Sequence, residues 1–381
     1  MSIKEFNESI KEKIIKKQTP ADVVVCDVVG VKKGERALII ANPSTAEIAQ
    51  DLFLSVKKYG GTPVLIFQED KTSFDNASPE VIAALKTEPE ICFSISSIKL
   101  GKDAGGTAEP YKTPDGKEFT HIFDYLLDGK KTMRGVWTPG ITVDMMTRTA
   151  DIDYSLLKEN CKNLEKYFDK AKRVHVTAPG GTDVYIDVED RKLMFDDGDF
   201  TKPGTGGNIP AGEVFISPVV GKTEGTIVYD GSMTFSDGDS ILETPITCVL
   251  KDGFVDKITG GEEAKRLLKT ITEAEERPYE LESEGKLKKG QADIYKRNAR
   301  NIGELGIGLN PAARITGNML EDEKAFHTCH FAIGENYDND APCLIHLDGV
   351  VREPTIVIEY TNGKSQVILD KGVLSIGNKK F

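Results

Sequence analysis

Hydrophobic positions in the first 150 residues alternate between strand and helix patterns. The apolar run ALIIANP at 37–43 predicts a buried strand that ends at Pro43. AEIAQDLFLSVKKYGG then has apolar residues at helical spacing and ends at a glycine pair, and TPVLIF predicts a second strand. EVIAALKTEPEICFSISSI repeats the alternation. A strand, a crossover helix and another strand form a βαβ unit, so we predict an α/β domain with a parallel sheet over residues 1–150.

The pattern changes after residue 150. A helical stripe in DYSLLKENCKNLEKYFDKAKR leads into short β-rich runs bounded by Gly, Asp and Pro, among them RVHVTAP, DVYIDVED, GEVFISPVV and ITCVLKDG. GEEAKRLLKTITEAEERPYELE predicts one more helix, and ELGIGLNP, HTCHFAIG, CLIHLDGVV and PTIVIEY predict further strands. These runs predict an α+β domain over 151–381 that is rich in antiparallel strands.

Composition and charge narrow the classes of function. The chain has a formal net charge of −12 and a sequence pI near 5.1, so a phosphate backbone would be repelled and nucleic acid is an unfavourable partner. The six cysteines form no CxxC pair, which argues against a zinc ribbon and a disulfide scaffold. No apolar run approaches the roughly 20 residues of a membrane span. The N-terminal segment is charged and lacks the apolar core of a signal peptide, so we expect a cytoplasmic protein.

The stretch CLIHLDGVV carries two polar groups within an apolar run. His346 and Asp348 are two residues apart, so in a strand their side chains share one face while Ile345 and Leu347 point to the other. Burying both groups without partners would be costly. Imidazole and carboxylate are a usual pair of metal ligands, so the two residues are candidates for one ion.

A second histidine strand lies nearby. In FHTCHFAIG, His330 shares its face with Thr328 and Ala332, whose small side chains leave room for a site. His327 points to the opposite face in this register, and we interpret it as a surface or second-layer histidine. His330 is therefore the third candidate ligand.

Two glutamates stand out by the same alternation. Glu213 begins the apolar run GEVFISP, and Glu304 lies in NIGELGIGLNP on the face that also carries Gly306 and Gly308. Glycines on one face of a strand indicate that another group approaches the backbone there. A solvent-facing glutamate on an edge strand is the alternative interpretation for each residue.

Other motifs are weaker. PGTGGNIPAG (203–212) and GELGIG are rich in glycine, but neither lies between a strand and a helix as a dinucleotide fingerprint requires. Trp137, the only tryptophan, is most simply an anchoring residue near the boundary of the two domains.

Several motifs together resemble a known family. GGNIPAGEVFISP, GTIVYDGS, NIGELGIGLNPAARITGNMLEDEKAFHTCHFAIGENY and IHLD occur in order, after a similar stretch that begins TADIDYSLLKENCKNLEKYF. Over most of residues 140–350 the chain resembles the aminopeptidase T / aminopeptidase S family of metallopeptidases. The resemblance implies a two-metal exopeptidase that releases N-terminal residues from peptides, usually as a homodimer.

The resemblance also implies roles for individual residues. The implied metal ligands are Glu213, Glu304, His330, His346 and Asp348. The implied active-site tyrosine is Tyr337, and Glu304 would share in proton transfer. Three carboxylates and two imidazoles are enough for two divalent ions such as Zn, Co or Mn, and a pair of ions about 3.5–4 Å apart can activate a bridging water.

The sequence departs from the aminopeptidase family at two places, and two alternatives to the aminopeptidase function stay open. The segment between His330 and His346 is shorter than in the family, and His327 stands where a small residue is expected. Ring-opening dioxygenases that act on dihydroxypyridines resemble this family and use one Fe(II), for which His330, His346 and Asp348 would form a two-histidine-one-carboxylate triad. The other alternative is a non-catalytic relative that has kept the fold.

Overall fold

The computed structural model describes residues 18–72, 75–376 and 379–380. The charged N-terminal segment, on which the expectation of a cytoplasmic location was based, lies almost entirely outside the described residues. The strands are β1 (Arg36–Ala41), β2 (Thr62–Phe67), β3 (Ile91–Ile95), β4 (Tyr111–Lys112), β5 (Glu118–Phe119), β6 (Arg134–Trp137), β7 (Ala171–Thr177), β8 (Asp183–Asp187), β9 (Met194–Asp196), β10 (Gly206–Asn208), β11 (Glu213–Ile216), β12 (Thr223–Tyr229), β13 (Ser232–Phe235), β14 (Gly238–Ile241), β15 (Ile246–Lys251), β16 (Phe254–Thr259), β17 (Ile302–Gly308), β18 (Thr328–Gly334), β19 (His346–Arg352), β20 (Thr355–Tyr360), β21 (Ser365–Asp370), β22 (Val373–Ile376) and β23 (Lys379–Lys380).

The α-helices lie mostly in the first half of the chain. They are α1 (Pro20–Val23), α2 (Ala46–Lys58), α3 (Pro79–Leu85), α4 (Ala104–Ala108), α5 (Ile122–Asp124), α6 (Val143–Thr149), α7 (Tyr154–Phe168), α8 (Glu262–Ser283), α9 (Gln291–Asn298) and α10 (Met319–Asp322). None of the helices in the described part of the chain combines the length and apolar character that a bilayer crossing requires.

The chain divides into two compact units. The first extends to Tyr154 and also includes Gly198–Pro210, and the second contains Ser155–Asp197 and Ala211–Phe381. A single boundary at residue 150 therefore does not describe the segment 198–210. Its glycine-rich stretch forms β10, which pairs with β6 at the edge of the sheet of the first unit.

The first unit contains a five-stranded parallel sheet. The strand order is β10-β6-β3-β1-β2, and each neighbouring pair is parallel. Strands β1 and β3 are buried on both faces except at Arg36, and most of their residues are apolar. One face packs Leu38, Cys92, Val81 and Leu126 into a core cluster.

The second unit contains two antiparallel sheets. One has seven strands in the order β14-β13-β19-β18-β17-β11-β9, and the other has nine in the order β16-β15-β12-β8-β7-β20-β21-β22-β23. On one face of the seven-stranded sheet, Leu305, Phe331 and Leu347 are buried, and Tyr229 of β12 lies against Gly349 of β19. The predicted fold class, a parallel α/β region followed by an antiparallel α+β region, is confirmed.

Candidate metal centre

The opposite face of the seven-stranded sheet carries a row of polar side chains. In the strand register, Ala332 of β18 lies between Glu304 of β17 and Asp348 of β19. His330 pairs with Gly306, and His346 pairs with Gly334. Because alternate residues share a face, these pairings bring both histidines and both carboxylates to one side.

A fifth predicted residue joins this face from the neighbouring strand. Glu213 of β11 pairs with Gly308 of β17 and, on its other side, with Asp196 of β9. All five residues that the sequence predicts as metal ligands therefore lie on one surface formed by β11, β17, β18 and β19.

The two glycines of β17 make room for the centre. A Cβ atom on Gly306 would lie 2.0 Å from Nε2 of His330, so the imidazole ring occupies the space above this glycine. A Cβ atom on Gly308 would lie 2.1 Å from the carbonyl oxygen of Ala325, so the chain after α10 crosses the strand at this point. The glycine face of GELGIG thus has the close approach that its sequence pattern indicates.

Glu304 lies between the two histidines. Its Oε1 is 3.0 Å from His330 Nε2, and its Oε2 is 3.4 Å from His346 Nε2. His346 Nε2 is also 3.3 Å from Asp348 Oδ1, and His330 Nε2 is 3.4 Å from Glu213 Oε2. Glu304 therefore presents one oxygen to each imidazole.

These side chains form overlapping sets whose ligand atoms lie within 4.8 Å of one another. The sets are Glu213–Glu304–His330, Glu304–His346–Asp348 and Glu323–His330–Asp348. Each set contains a single histidine, and Glu304 is common to the first two. Among the described residues, the two imidazoles do not fall into one such set.

Buried oxygen atoms that accept no hydrogen bond indicate that the residues of this site could hold a metal ion. Glu213 Oε2 and Asp348 Oδ1 are buried and accept no hydrogen bond within the described part of the chain. His346 Nδ1 is 2.9 Å from the carbonyl oxygen of Glu335, and donation of its N–H there leaves Nε2 with a lone pair facing the carboxylates. Carboxylate oxygens and neutral imidazoles are donors for borderline divalent ions, so the residues fit a metal centre.

A buried lysine borders the centre. Lys324 has no exposed surface, and its Nζ donates to Glu213 Oε1 at 3.0 Å and to Glu323. It is also 3.8 Å from Asp196 Oδ2. The ammonium thus holds one oxygen of Glu213 and leaves the other directed towards His330.

Burial and charge shift the pKa values of the centre in opposite directions. Burial raises the pKa of Glu213 to about 8 and that of Asp196 to about 7, although Lys324 opposes both shifts. Burial alone would lower the pKa of His330, but Glu304 and Glu213 raise it to about 9. Burial would raise the pKa of Asp348, but His346 lowers it to about 2. The carboxylates of the centre therefore outnumber the positively charged side chains that could neutralise them.

The charge count of the centre is compatible with bound cations. Five carboxylates converge there, namely Asp196, Glu213, Glu304, Glu323 and Asp348, whereas Lys324 is the one lysine among them. When all five are ionised and both imidazoles are neutral, as metal ligands are, negative charge exceeds positive charge by four, and two divalent ions would balance it. Buried charge without such compensation is costly.

Tyr337 lies beside the metal centre, whereas His327 is not part of it. The Tyr337 ring lies at the rim of the centre, 5.3 Å from the His346 ring and 5.0 Å from the Phe215 ring, and 53% of the residue is exposed. His327 precedes β18, is exposed, and its Nδ1 is 2.9 Å from the carbonyl oxygen of Gly372. It does not join the metal-ligand sets.

No sequence pattern indicates that Lys324, Glu323 or Asp196 belongs to the centre. Lys324 lies in the charged run LEDEK, which has the composition of an exposed helix, yet Glu321 and Asp322 are also buried. Asp322 accepts hydrogen bonds from the backbone of residues 316 and 317. Only the pairing of β9 with β11 places Asp196 beside Glu213, and no local pattern indicates that pairing.

Sequence comparison identifies the family. Residues 143–359 match the family model described as NicX: 2,5-dihydroxypyridine 5,6-dioxygenase. The chain belongs to the NicX family. A NicX-family relative, the 2,5-dihydroxypyridine 5,6-dioxygenase of Pseudomonas putida, is 24% identical over 250 residues. That match spans 61% of this chain and 63% of the relative's length.

Solved structures share the fold across nearly the whole NicX-family chain. The 2,5-dihydroxypyridine dioxygenase from Pseudomonas putida KT2440 superposes with a TM-score of 0.66 at 16% identity, covering 94% of this chain and 96% of that one. Wild-type AmpT from Thermus thermophilus superposes with a TM-score of 0.63 at 14% identity, covering 93% and 98%. At these identities the structures show the fold alone.

These comparisons support the family expected from the motifs in part. The resemblance to aminopeptidases T and S is supported by the fold shared with AmpT, whereas the family that the sequence matches is NicX. The family match supports an enzyme, and the convergent ligand residues support metal binding.

Proposed function

We propose that this protein is a two-metal aminopeptidase that releases N-terminal residues from peptides. The observation that carries the proposal is the position of Glu304, which offers Oε1 beside His330 and Oε2 beside His346. A carboxylate with one oxygen in each of two ligand sets is suited to bridge two ions. One ion would be held by the set Glu213–Glu304–His330 and the other by the set Glu304–His346–Asp348.

The bound ions, Zn, Co or Mn, would supply a water of lowered pKa and polarise the scissile carbonyl. The protein groups hold and orient the reactants. Asp348 carries a full negative charge at neutral pH, because the imidazole of His346 outweighs burial and lowers its pKa to about 2. As a ligand of the second set it would help to hold the ion to which the free, deprotonated amino terminus of a peptide would bind.

Tyr337 has the properties of a hydrogen-bond donor to the substrate. About half of Tyr337 is exposed, but desolvation of its phenol by the surrounding strands and the charges of Glu304 and Asp348 both raise its pKa above the usual value. The hydroxyl keeps its proton at neutral pH and can donate to the oxygen that gains charge during attack on the carbonyl. Its ring lies against the rings of His346 and Phe215, which places the tyrosine next to the proposed metal ligands.

A second candidate is a ring-opening dioxygenase with one Fe(II). The observation in its favour is the match of residues 143–359 to the family of 2,5-dihydroxypyridine 5,6-dioxygenases. The usual non-haem Fe(II) site has two histidines and one carboxylate. The convergent sets here have one histidine and two carboxylates each, which favours the hydrolase.

Metal analysis and two activity assays separate the candidates. We expect about two Zn, Co or Mn ions per chain after loading, together with release of leucine from Leu-Gly-Gly. We expect no oxygen consumption when the chain is loaded anaerobically with Fe(II) and then given 2,5-dihydroxypyridine and air. One Fe per chain with oxygen consumption would instead establish the dioxygenase.

The variant Glu213→Gln tests the two-ion site directly. It keeps the shape of the side chain but removes a ligand of only the first set. Metal content should fall from two to one, and peptide hydrolysis should fall at least about 100-fold, as for other losses of metal-site groups. Glu262→Gln on exposed helix α8 is the matched control and should change neither quantity. Unchanged hydrolysis in Glu213→Gln would contradict the proposal.

A further inference from the structure

The first unit contains a cavity of about 500 Å³ that has no part in the metal centre. It lies where β3 and β6 end, and its lining includes Ser94, Ser96, Phe123, Leu127, Trp137 and Thr138. The strand order β2-β1-β3-β6-β10 places β2 on one side of β1 and the later strands on the other. The order reverses between β1 and β3, next to the strands that end at the cavity, and in open parallel sheets ligands bind outside the carboxyl ends of the strands.

The base of the cavity carries buried hydroxyl groups. Ser94, Ser96 and Thr138 are each less than 5% exposed. The hydroxyl oxygens of Ser94 and Ser96 are 3.0 Å apart, so one donates to the other. The second hydroxyl keeps a hydrogen that it can donate to an acceptor in the cavity, because two hydroxyls need only one hydrogen for their mutual bond.

One wall is apolar and rigid. The rings of Trp137 and Phe123 pack edge to face with centroids 6.0 Å apart, and Leu127 continues the surface. Asn208 Nδ2 donates to the backbone carbonyl of Trp137 at 3.0 Å, which fixes the end of β6. A mostly apolar cavity of this volume with a few polar groups is typical of a site for a small molecule.

The lining also contains charges of both signs from two segments. Lys99 and Lys102 come from the chain after β3, and Asp124 and Asp128 lie four residues apart on the helical segment that begins with α5. A ligand that carries both an anion and a cation matches this arrangement better than an ion of one sign. The apolar wall requires that the same ligand also has an apolar body.

We propose that this cavity binds a free α-amino acid with a large apolar side chain. The carboxylate would accept from the lysines and the serine hydroxyl, the ammonium would face Asp124 and Asp128, and the side chain would pack on Trp137. The proposal does not depend on the aminopeptidase reaction, because every lining residue belongs to the first unit.

The single tryptophan makes the test specific. Trp137 is the only tryptophan in the chain and lines this cavity, so its fluorescence reports on the cavity. Titration of the full chain with L-leucine should change the emission and saturate at one ligand per chain. Acetyl-leucine lacks the ammonium and leucinamide lacks the carboxylate, so each should bind at least about tenfold more weakly, which is the effect of losing one charged hydrogen bond.

Three variants decide the outcome. Lys99→Gln and Asp124→Asn change exposed side chains and should each weaken L-leucine binding about tenfold without altering the fold seen by circular dichroism. His346→Ala damages only the metal centre and should leave the titration unchanged. The proposal is wrong if L-leucine does not change the emission, if acetyl-leucine or leucinamide binds as well, or if His346→Ala abolishes the response.

Discussion

Gly306 has no side chain, and the imidazole of His330 occupies the space that a side chain would fill. A larger residue at position 306 would therefore collide with the ring. In Gly306→Ala the new methyl group would lie 2.0 Å from the ring, so the imidazole must move away from Glu304. We expect metal affinity to fall about 10–100-fold, as for loss of other groups that orient metal ligands. Metal titration of the chelator-treated protein measures this.

Gly105→Ala is the control for that substitution. A methyl group there would meet only Asp103 Oδ1 at 3.4 Å, an ordinary contact, within helix α4. Metal affinity should not change. Equal metal affinity in Gly306→Ala and in the unaltered protein would show that His330 is not a ligand.

Lys324 compensates the charge of buried carboxylates. In Lys324→Met, Glu213 and Asp196 lose their buried partner, and removal of one member of a buried ion pair destabilises a protein by about 3–5 kcal/mol. We expect this decrease in the free energy of unfolding when urea denaturation is measured with chelator present. Added metal should restore part of the loss.

The exposed pair Lys265–Glu262 provides the comparison for Lys324. Its atoms are 2.6 Å apart, yet both side chains are largely exposed, so Lys265→Met should cost less than about 1 kcal/mol. If the two lysine substitutions have the same small effect, Lys324 does not compensate buried charge.

At the scale of elements, the alternation of side chains along each strand determines which residues face the metal centre. His346 and Asp348 share a face of β19 only because Leu347 alone separates them. Insertion of one alanine between Leu347 and Asp348 would turn the carboxylate to the opposite face. We expect loss of metal at the set Glu304–His346–Asp348, measured as a fall in metal content per chain.

An insertion in a turn controls for the extra residue itself. One alanine between Thr361 and Asn362 lies in the exposed connection between β20 and β21. Metal content should be retained there. If the insertion in β19 also retains full metal content, Asp348 does not bind metal.

The same periodicity explains what the sequence could predict. Alternation along β17, β18 and β19 identifies which side chains share a face, and glycines at 306 and 308 indicate a close approach. Alternation does not tell which strands are neighbours. Asp196 therefore stayed unrecognised, because its role arises only when β9 pairs with β11.

Buried charge is the other limit of prediction from sequence. The run LEDEK has the composition of a solvent-facing helix, but the structure buries Glu321, Asp322 and Lys324. Each finds its partner far along the chain or in a loop backbone, as Lys324 does with Glu213. Long-range partners of this kind leave no local pattern.

The sequence motifs also do not decide the family, because motifs that are common to related folds do not separate a peptidase from a dioxygenase.

At the scale of the whole molecule, metal binding is linked to protons. The carboxylates around His330 outweigh its burial and raise its pKa to about 9, and the pKa of His346 is raised well above its usual value. These raised pKa values favour the protonated imidazoles in the absence of metal, and a metal must displace these protons. Metal affinity should rise as pH increases from 6 towards 9.

Calorimetry in two buffers measures that linkage. The apparent enthalpy of metal binding at pH 7 should differ between phosphate and Tris, and the slope should give more than one proton released per chain. Metal at a thousandfold excess over its dissociation constant should also stabilise the fold by about 4 kcal/mol. Binding without proton release would contradict the protonated state of the histidines.

The return of residues 198–210 to the first unit has a consequence for synthesis of the chain. Strand β10 completes the parallel sheet, yet the ribosome makes β7, β8 and β9 of the second unit before it. At translation rates of about 5–20 residues per second, β6 waits on the order of seconds for its partner. A gene fragment that stops at residue 150 would leave that strand edge open to pairing with other chains. Neither unit is therefore a module that a single cut in the gene can separate.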